Sequence, residues 1–224
     1  MPDSPHSSRQ NNRSRAGVVL AGGFSTRFGE TDKALAEING TPMLARVVDR
    51  LAAVVDAVVV SCRAAQHHAF DRVLSDHGGE TPVTFAFDPE PDNGPLAGIA
   101  HSFQRIEATY AAVVACDMPF VEPGFIEVLF EQAAGHDAVV PELDDGHRQP
   151  TQAVYHVEHT SRVAERRLAA DQLSLHGALG ELDTVILPPD AVAAQTTRRS
   201  LADLNSRAEF TRAISAEGDD PDSR

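Results

Sequence analysis

The chain has no tryptophan, two cysteines and a single lysine among 224 residues, and each shortage closes off a class of function. Cys62 and Cys116 lie far apart without a neighbouring Cys or His pair, which excludes a disulfide framework and a zinc knuckle. They read as reduced, buried thiols. No apolar run approaches the roughly 20 residues of a membrane helix, and the first residues lack the apolar stretch of a secretory signal. A soluble, cytoplasmic protein is expected. Lys33 is the sole lysine, and 33 acidic residues against 19 basic ones leave a formal charge of -14. A surface so acidic argues against nucleic acid or an anionic membrane as partner, because both require clustered Lys and Arg. It resembles the lysine-poor, acid-rich surfaces of proteins from high-salt cytoplasm, where ions screen self-repulsion. A polyphosphate substrate would have to be met by a few local cations and a metal.

What the chain does have is alternation. Apolar strand-like runs at Gly17–Leu20, Ala57–Ser61, Val83–Phe87, Ala111–Ala115, Ala138–Pro141, Ala153–His156 and Thr184–Leu187 are separated by longer helix-like stretches. This is the pattern of a single-domain α/β fold, a mostly parallel sheet of about seven strands with helices on both faces. Thr41-Pro42 reads as an N-cap and first-turn pair opening a helix to about Val54, and Pro123 opens a second after Glu122. Residues 1–15 and 217–224 lack periodic apolar content and read as disordered tails, leaving a domain at 16–216. A basic interaction arm at Arg9, Arg13 and Arg15 is the alternative for the first tail. The ten histidines show no H-x-x-x-H spacing and read as surface or core residues rather than metal ligands.

The densest chemical signal follows the first strand. Val18-Val19-Leu20 runs into Ala21-Gly22-Gly23, with Ser25, Arg27 and Gly29 on alternate positions and Asp32-Lys33 close behind. Adjacent glycines allow a tight turn and bring backbone N–H groups against a phosphate. Ser25 adds a hydroxyl donor, and Arg27 and Lys33 add positive charge. The spacing fits neither the G-x-G-x-x-G dinucleotide fingerprint nor the G-x-x-x-x-G-K-[ST] phosphate loop, which disfavours NAD enzymes and P-loop ATPases. A bare Gly-Gly pair is ordinarily just a turn. Further on, Asp88 to Gly98 reads as a turn-rich loop entering a helix near Ala97, whose glycines permit close approach to a flat ligand. Cys116-Asp117 ends a small-residue strand, where a carboxylate offers Mg²⁺ a hard oxygen or, alternatively, caps the next helix. Arg148, in Gly146 to Gln152, is either a phosphate-binding fork or an exposed turn residue.

Taken together, Leu20-Ala21-Gly22-Gly23-x-Ser25-x-Arg27-x-Gly29 and Asp32-Lys33-Ala34-Leu35 resemble the signature of the molybdenum cofactor guanylyltransferase family. Gly94-Pro95-Leu96-Ala97-Gly98-Ile99, Cys116-Asp117-Met118-Pro119-Phe120 and Leu204-Asn205-Ser206 resemble three more of its motifs. The likeness is close from Gly17 to about Tyr155 and looser to Ile214. It implies the three-layer Rossmann-like fold of nucleotide-diphospho-sugar transferases. It also implies GTP and molybdopterin as substrates, Mg²⁺ as cofactor, and cofactor insertion proteins or receiving enzymes as candidate partners. By resemblance Arg27, Lys33 and Asp117 are catalytic. Leu20, Ala21, Gly22, Gly23, Ser25, Lys33, Asp88, Gly94, Pro95, Leu96, Ala97 and Gly98 contact the nucleotide. Asp117 and Asn205 hold the metal, and Arg148 faces the acceptor. Two departures stand out: Ser61-Cys62-Arg63 where the family often carries Asn-Arg, leaving base preference open, and Phe28 in place of methionine. The rival readings are a cytidylyl- or guanylyltransferase for another phosphorylated small molecule, and a catalytically silent nucleotide-binding module.

Overall fold

The computed structural model describes residues 14–23, 32–88 and 93–218. In chain order they form β1 (Arg15–Leu20), the hairpin strands β2 (Glu37–Ile38) and β3 (Thr41–Pro42), α1 (Met43–Ala52), β4 (Ala57–Cys62), α2 (His67–His77) and β5 (Val83–Phe87). There follow α3 (Gly94–Phe103), β6 (Tyr110–Ala115), α4 (Pro123–Gln132), β7 (Ala138–Pro141), β8 (Gln152–His156), α5 (Val157–Ala169), α6 (Leu175–Leu179), β9 (Thr184–Leu187), α7 (Pro189–Ala193) and α8 (Arg207–Gly218). Seven strands make one sheet in the order β5-β4-β1-β6-β8-β7-β9. Every pairing is parallel except the two made by β8, which runs against β6 and β7. All seven strand-like runs of the sequence lie in this sheet.

Strand periodicity of two divides the core into two layers. From β1, Val19 packs on one face and Val18 on the other. β6 splits the same way into Ala112 and Val114 against Ala111 and Val113. Leu44, Val47 and Leu51 of α1 and Phe125, Ile126 and Leu129 of α4 cover the first face. Leu96, Ile99 and Phe103 of α3, with Val163 and Ala164 of α5, cover the second. The sheet is therefore sandwiched between helices, and each fully buried Leu, Ile or Phe contributes about 1.5–3 kcal/mol. A third, smaller cluster of Ile38, Met43, Phe120, Leu204 and Ala213 fastens the C-terminal segment to the hairpin.

Three local expectations are corrected. Thr41-Pro42 does not open α1: Pro42 is extended (φ -56°, ψ 141°) and pairs with Glu37, so the helix starts at Met43 without a side-chain cap. It also ends at Ala52, short of Val54. Helix α3 begins at Gly94, three residues before Ala97, because Gly94 takes φ +72° and turns the chain while Pro95 supplies the first-turn geometry. Finally β1 starts at Arg15, inside the segment read as a tail. Arg15 pairs with Tyr110 and lies 4.7 Å over the Phe130 ring.

α3 approaches the sheet closely only because residue 98 is glycine. A Cβ there would sit 2.8 Å from Ser61 Oγ and 3.1 Å from Leu20 Cδ2. Gly98→Ala is therefore expected to push α3 outward and cost about 1–3 kcal/mol. Adding Ser61→Ala removes the nearest atom and should recover part of that loss. Thermal denaturation of the single and double variants checks both, and an unchanged midpoint for Gly98→Ala would show that the contact has slack.

Candidate active site

Strands β1, β4, β5 and β6 all end on the same edge of the sheet, where open α/β folds bind ligands. There a cavity of about 300 Å³ opens between the strand ends and the start of α3. Of the nucleotide contacts expected from the sequence, Leu20, Gly22, Gly23, Asp88, Gly94, Pro95 and Gly98 line it. Ser61, Ala115 and Thr151 complete the wall, and none of these three was anticipated. Hydrogen bonds between strand ends hold the rim: Asp88 N donates to Cys62 O, Cys116 N to Leu20 O and Ala115 N to Thr151 O, at 2.8–3.1 Å. Ser25, Arg27, Phe28 and Gly29 lie outside the described residues.

The other expected contacts are placed differently. Ala21, Leu96 and Ala97 are buried in the core, leaving only their backbones to reach a ligand. Ala21 has already committed its N–H to Ser61 O at 2.8 Å and its carbonyl to Gln66 Nε2 at 3.2 Å. Strand alternation points Cys62 into the opposite core layer, so Ser61, not Cys62, is the β4 side chain at the cavity. Neither Gly22 nor Gly23 adopts a left-handed φ, and a Cβ on Gly23 would touch nothing within 4 Å. What glycine provides here is bare backbone facing the cavity rather than a tight turn.

Beside the cavity three segments distant in sequence converge on one charge. Lys33 Nζ lies 2.9 Å from Asp117 Oδ2 and 3.1 Å from Asn205 Oδ1. Each partner is fixed by its own surroundings. Asp32 Oδ1 accepts from Ala34 N, capping the single 3-10 turn that carries Lys33. Asp117 does not cap a helix: it sits in a turn whose next residue, Met118, is fully buried, and its carbonyl accepts from Leu204 N at 2.9 Å. Asn205 immediately precedes a capping box, in which Ser206 Oγ accepts from Glu209 N and Glu209 Oε2 accepts from Ser206 N. The Ser206-x-x-Glu209 spacing is visible in the sequence and could have placed α8 behind Asn205.

The donor chemistry of this junction suits a hard cation. One carboxylate oxygen and one amide oxygen already face a positive charge, and the Lys33 and Asp117 side chains are 12% and 24% exposed. No group of three or more His, Cys, Asp or Glu residues fit to hold a metal occurs among the described residues. A Mg²⁺ here would take one or two protein ligands and complete its shell with phosphate oxygens and water, its usual habit. The nearby thiols offer no nucleophile at neutral pH. Burial, and then the Asp117 carboxylate, raises Cys116 far above the ordinary thiol value; burial, and then Asp32, raises Cys62 to about 12. Arg148 is not at this cavity: its Nε lies 3.8 Å from Glu142 Oε2. Glu142 instead lines a second cavity of about 550 Å³, together with Gln149, Arg198 and Asp203. His136, His156 and His159 lie with Asp137 and Asp183 near Tyr110, where β6 begins, at the opposite edge of the sheet. No helix among the described residues is long and apolar enough to cross a membrane.

Comparison with known proteins agrees with this architecture. The family described as MobA-like NTP transferase domain matches residues 17–195. A protein of Natronomonas pharaonis named a probable molybdenum cofactor guanylyltransferase is 39% identical over 199 residues, covering 89% of this chain and 96% of that one. A protein of Haloferax mediterranei with the same name is 35% identical over 200 residues, covering 89% and 93%. Among solved structures, molybdopterin-guanine dinucleotide biosynthesis protein A from Archaeoglobus fulgidus superposes with a TM-score of 0.73 at 24% identity, covering 91% of this chain and 98% of its own. The 4-diphosphocytidyl-2C-methyl-D-erythritol synthase from Anaerococcus prevotii gives 0.69 at 10% identity, covering 92% and 99%, a likeness of fold alone. The chain thus belongs to the molybdenum cofactor guanylyltransferase family, built on a MobA-like NTP transferase domain, and is a nucleotidyltransferase.

Proposed function

We propose that this nucleotidyltransferase moves GMP from GTP onto the terminal phosphate of molybdopterin, releasing pyrophosphate and forming the guanine dinucleotide cofactor. The observation that carries the reading is the meeting of Lys33, Asp117 and Asn205 just past the end of β6, whose last residue, Ala115, lines the α3 cavity. In the reaction, an oxygen of the acceptor phosphate attacks the α-phosphorus as the bond to the bridging oxygen breaks and pyrophosphate departs in line. No covalent enzyme intermediate is needed, in keeping with two thiols held protonated. Positioning and charge neutralisation are the protein's work.

In this reading the guanine edge, rich in N–H donors, enters the cavity of about 300 Å³ where Asp88 offers a carboxylate acceptor. The Gly22-Gly23 backbone faces the phosphates. The Lys33 ammonium and, from its motif, Arg27 balance the triphosphate charge. Asp117 and Asn205 would hold Mg²⁺, which supplies Lewis-acid polarisation of the phosphate oxygens when bound. The acceptor would occupy the second cavity, which reaches the junction through Asp203, two residues before Asn205 and hydrogen-bonded to its amide. Arg148, paired with the cavity-lining Glu142, would bind an acceptor phosphate.

Pyrophosphate release measured with each of the four nucleoside triphosphates, with and without molybdopterin, is expected to require GTP and molybdopterin together. Turnover with CTP and not GTP would overturn the base assignment, and nucleotide binding without turnover would favour a silent module. Lys33→Ala and Asp117→Ala should each lower turnover about 100- to 1,000-fold. Their stability should stay within about 1 kcal/mol of the wild type, since the pair is partly exposed. Normal turnover in either variant would move the catalytic centre elsewhere.

A further inference from the structure

A single buried side chain, Gln66, joins the end of β1 to the turn that presents Lys33. Gln66 is 6% exposed and follows β4. Its Nε2 donates to Ala21 O at 3.2 Å and to Asp32 Oδ2 at 2.5 Å, partners 45 and 34 residues away in sequence. Its Oε1 accepts from Arg63 N at 2.8 Å, so the amide is oriented from behind by its own turn. The Arg63 guanidinium lies 3.8 Å from the same Asp32 oxygen. The other Asp32 oxygen caps the Lys33 turn through Ala34 N. Ala21 begins the glycine segment whose backbone lines the cavity, and Asp32 directly precedes the lysine. The amide group thus ties the phosphate-facing backbone and the catalytic cation to one rigid strand end.

We infer that Gln66 is a positioning residue, a clasp that sets where the Lys33 ammonium stands relative to Gly22-Gly23 and Asp117. This deepens the proposed function and rests on Lys33 acting there. Three features favour positioning over mere packing. All the polar capacity that Gln66 directs inward ends on two residues flanking the phosphate-facing elements. A buried amide with both its donors and its acceptor engaged cannot rotate without breaking at least one bond. And a misplacement of about 1 Å at a reacting centre is enough to cost about 100-fold in rate. Leucine at this position would keep the volume and lose every bond.

The test is a double-mutant cycle on pyrophosphate release from GTP with molybdopterin, run beside a spectroscopic readout. Gln66→Leu is expected to lower kcat/KM about 10- to 100-fold, yet to cause little further loss in a Lys33→Ala background, because its effect passes through Lys33. An equal loss in both backgrounds would overturn the proposal. Since Lys33 is the only lysine, protein grown with isotope-labelled lysine gives one side-chain NMR signal. That signal should move in Gln66→Leu toward its position in Asp117→Asn; an unmoved signal would overturn the proposal whatever the activity. Should Gln66→Leu fail to fold, Gln66→Glu sets a carboxylate oxygen against both Asp32 and the Ala21 carbonyl, and the lysine signal should again move. An unmoved signal would count against the clasp. If the wild type releases no pyrophosphate from these substrates, the substrate assignment fails, and the lysine signal still decides the role of Gln66.

Discussion

The structure turns on one ammonium group and the two oxygens that hold it. Lys33 comes from the segment after β1, Asp117 from the end of β6, and Asn205 from the stretch before α8. Bringing them within about 3 Å requires the parallel pairing of β1 with β6 and the docking of the C-terminal segment through Leu204 and Phe120. The order of strands serves that convergence. β1 and β6 are central neighbours paired in parallel, so their C-terminal ends lie side by side. The third small core cluster supports the last contact, alongside the hydrogen bond from Leu204 N to Asp117 O.

Charge explains why so few groups carry the site. With a formal charge of -14 and one lysine, the chain as a whole repels a polyanion rather than gathering one. At physiological ionic strength the reach of that acidic field is about 8 Å, and at 1 M salt about 3 Å. Contacts at hydrogen-bond range are therefore what remains effective, and the one in place among the described residues is the Lys33 ammonium between Asp117 and Asn205. The second carboxylate on the Lys33 turn is engaged within the protein: Asp32 faces Ala34 N, the Gln66 amide and the Arg63 guanidinium.

Much of the fold was legible because strand and helix periods survive in an apolar core. Each of the seven main strands could be read from runs such as Val83–Phe87 and Thr184–Leu187, and Pro123 marked the start of α4 correctly. One misreading comes from tertiary pairing overriding local preference, whereas the early start of α3 at Gly94 is local backbone geometry. Thr41-Pro42 has the composition of a helix start and is instead held extended by Glu37-Ile38. The direction of β8, antiparallel in an otherwise parallel sheet, has no local signature at all. Within the site, Lys33, Asp117, Gly94 and Gly98 stood out because rarity, spacing and family likeness marked them. Ser61 and Thr151 did not, since their place at the cavity depends on strand register. Gln66 was invisible for the same reason: its partners are tens of residues away, and glutamine on its own announces nothing.

The two cavities differ in what walls them. The smaller is walled by glycines and small side chains on β1, β4 and α3, where the absence of Cβ atoms at Gly23 and Gly98 sets the space available. The larger is walled by Glu142, Asp203 and Arg198, on elements that follow β7 and β9. A reaction joining two phosphorylated molecules needs their phosphates to meet where negative charge is best tolerated. Just past the end of β6, Lys33 stands between the Asp117 carboxylate and the Asn205 amide oxygen, bonded to both. In the proposed reading the flat base and the bulk of the acceptor would differ in shape without disturbing that point, because each would have a cavity of its own.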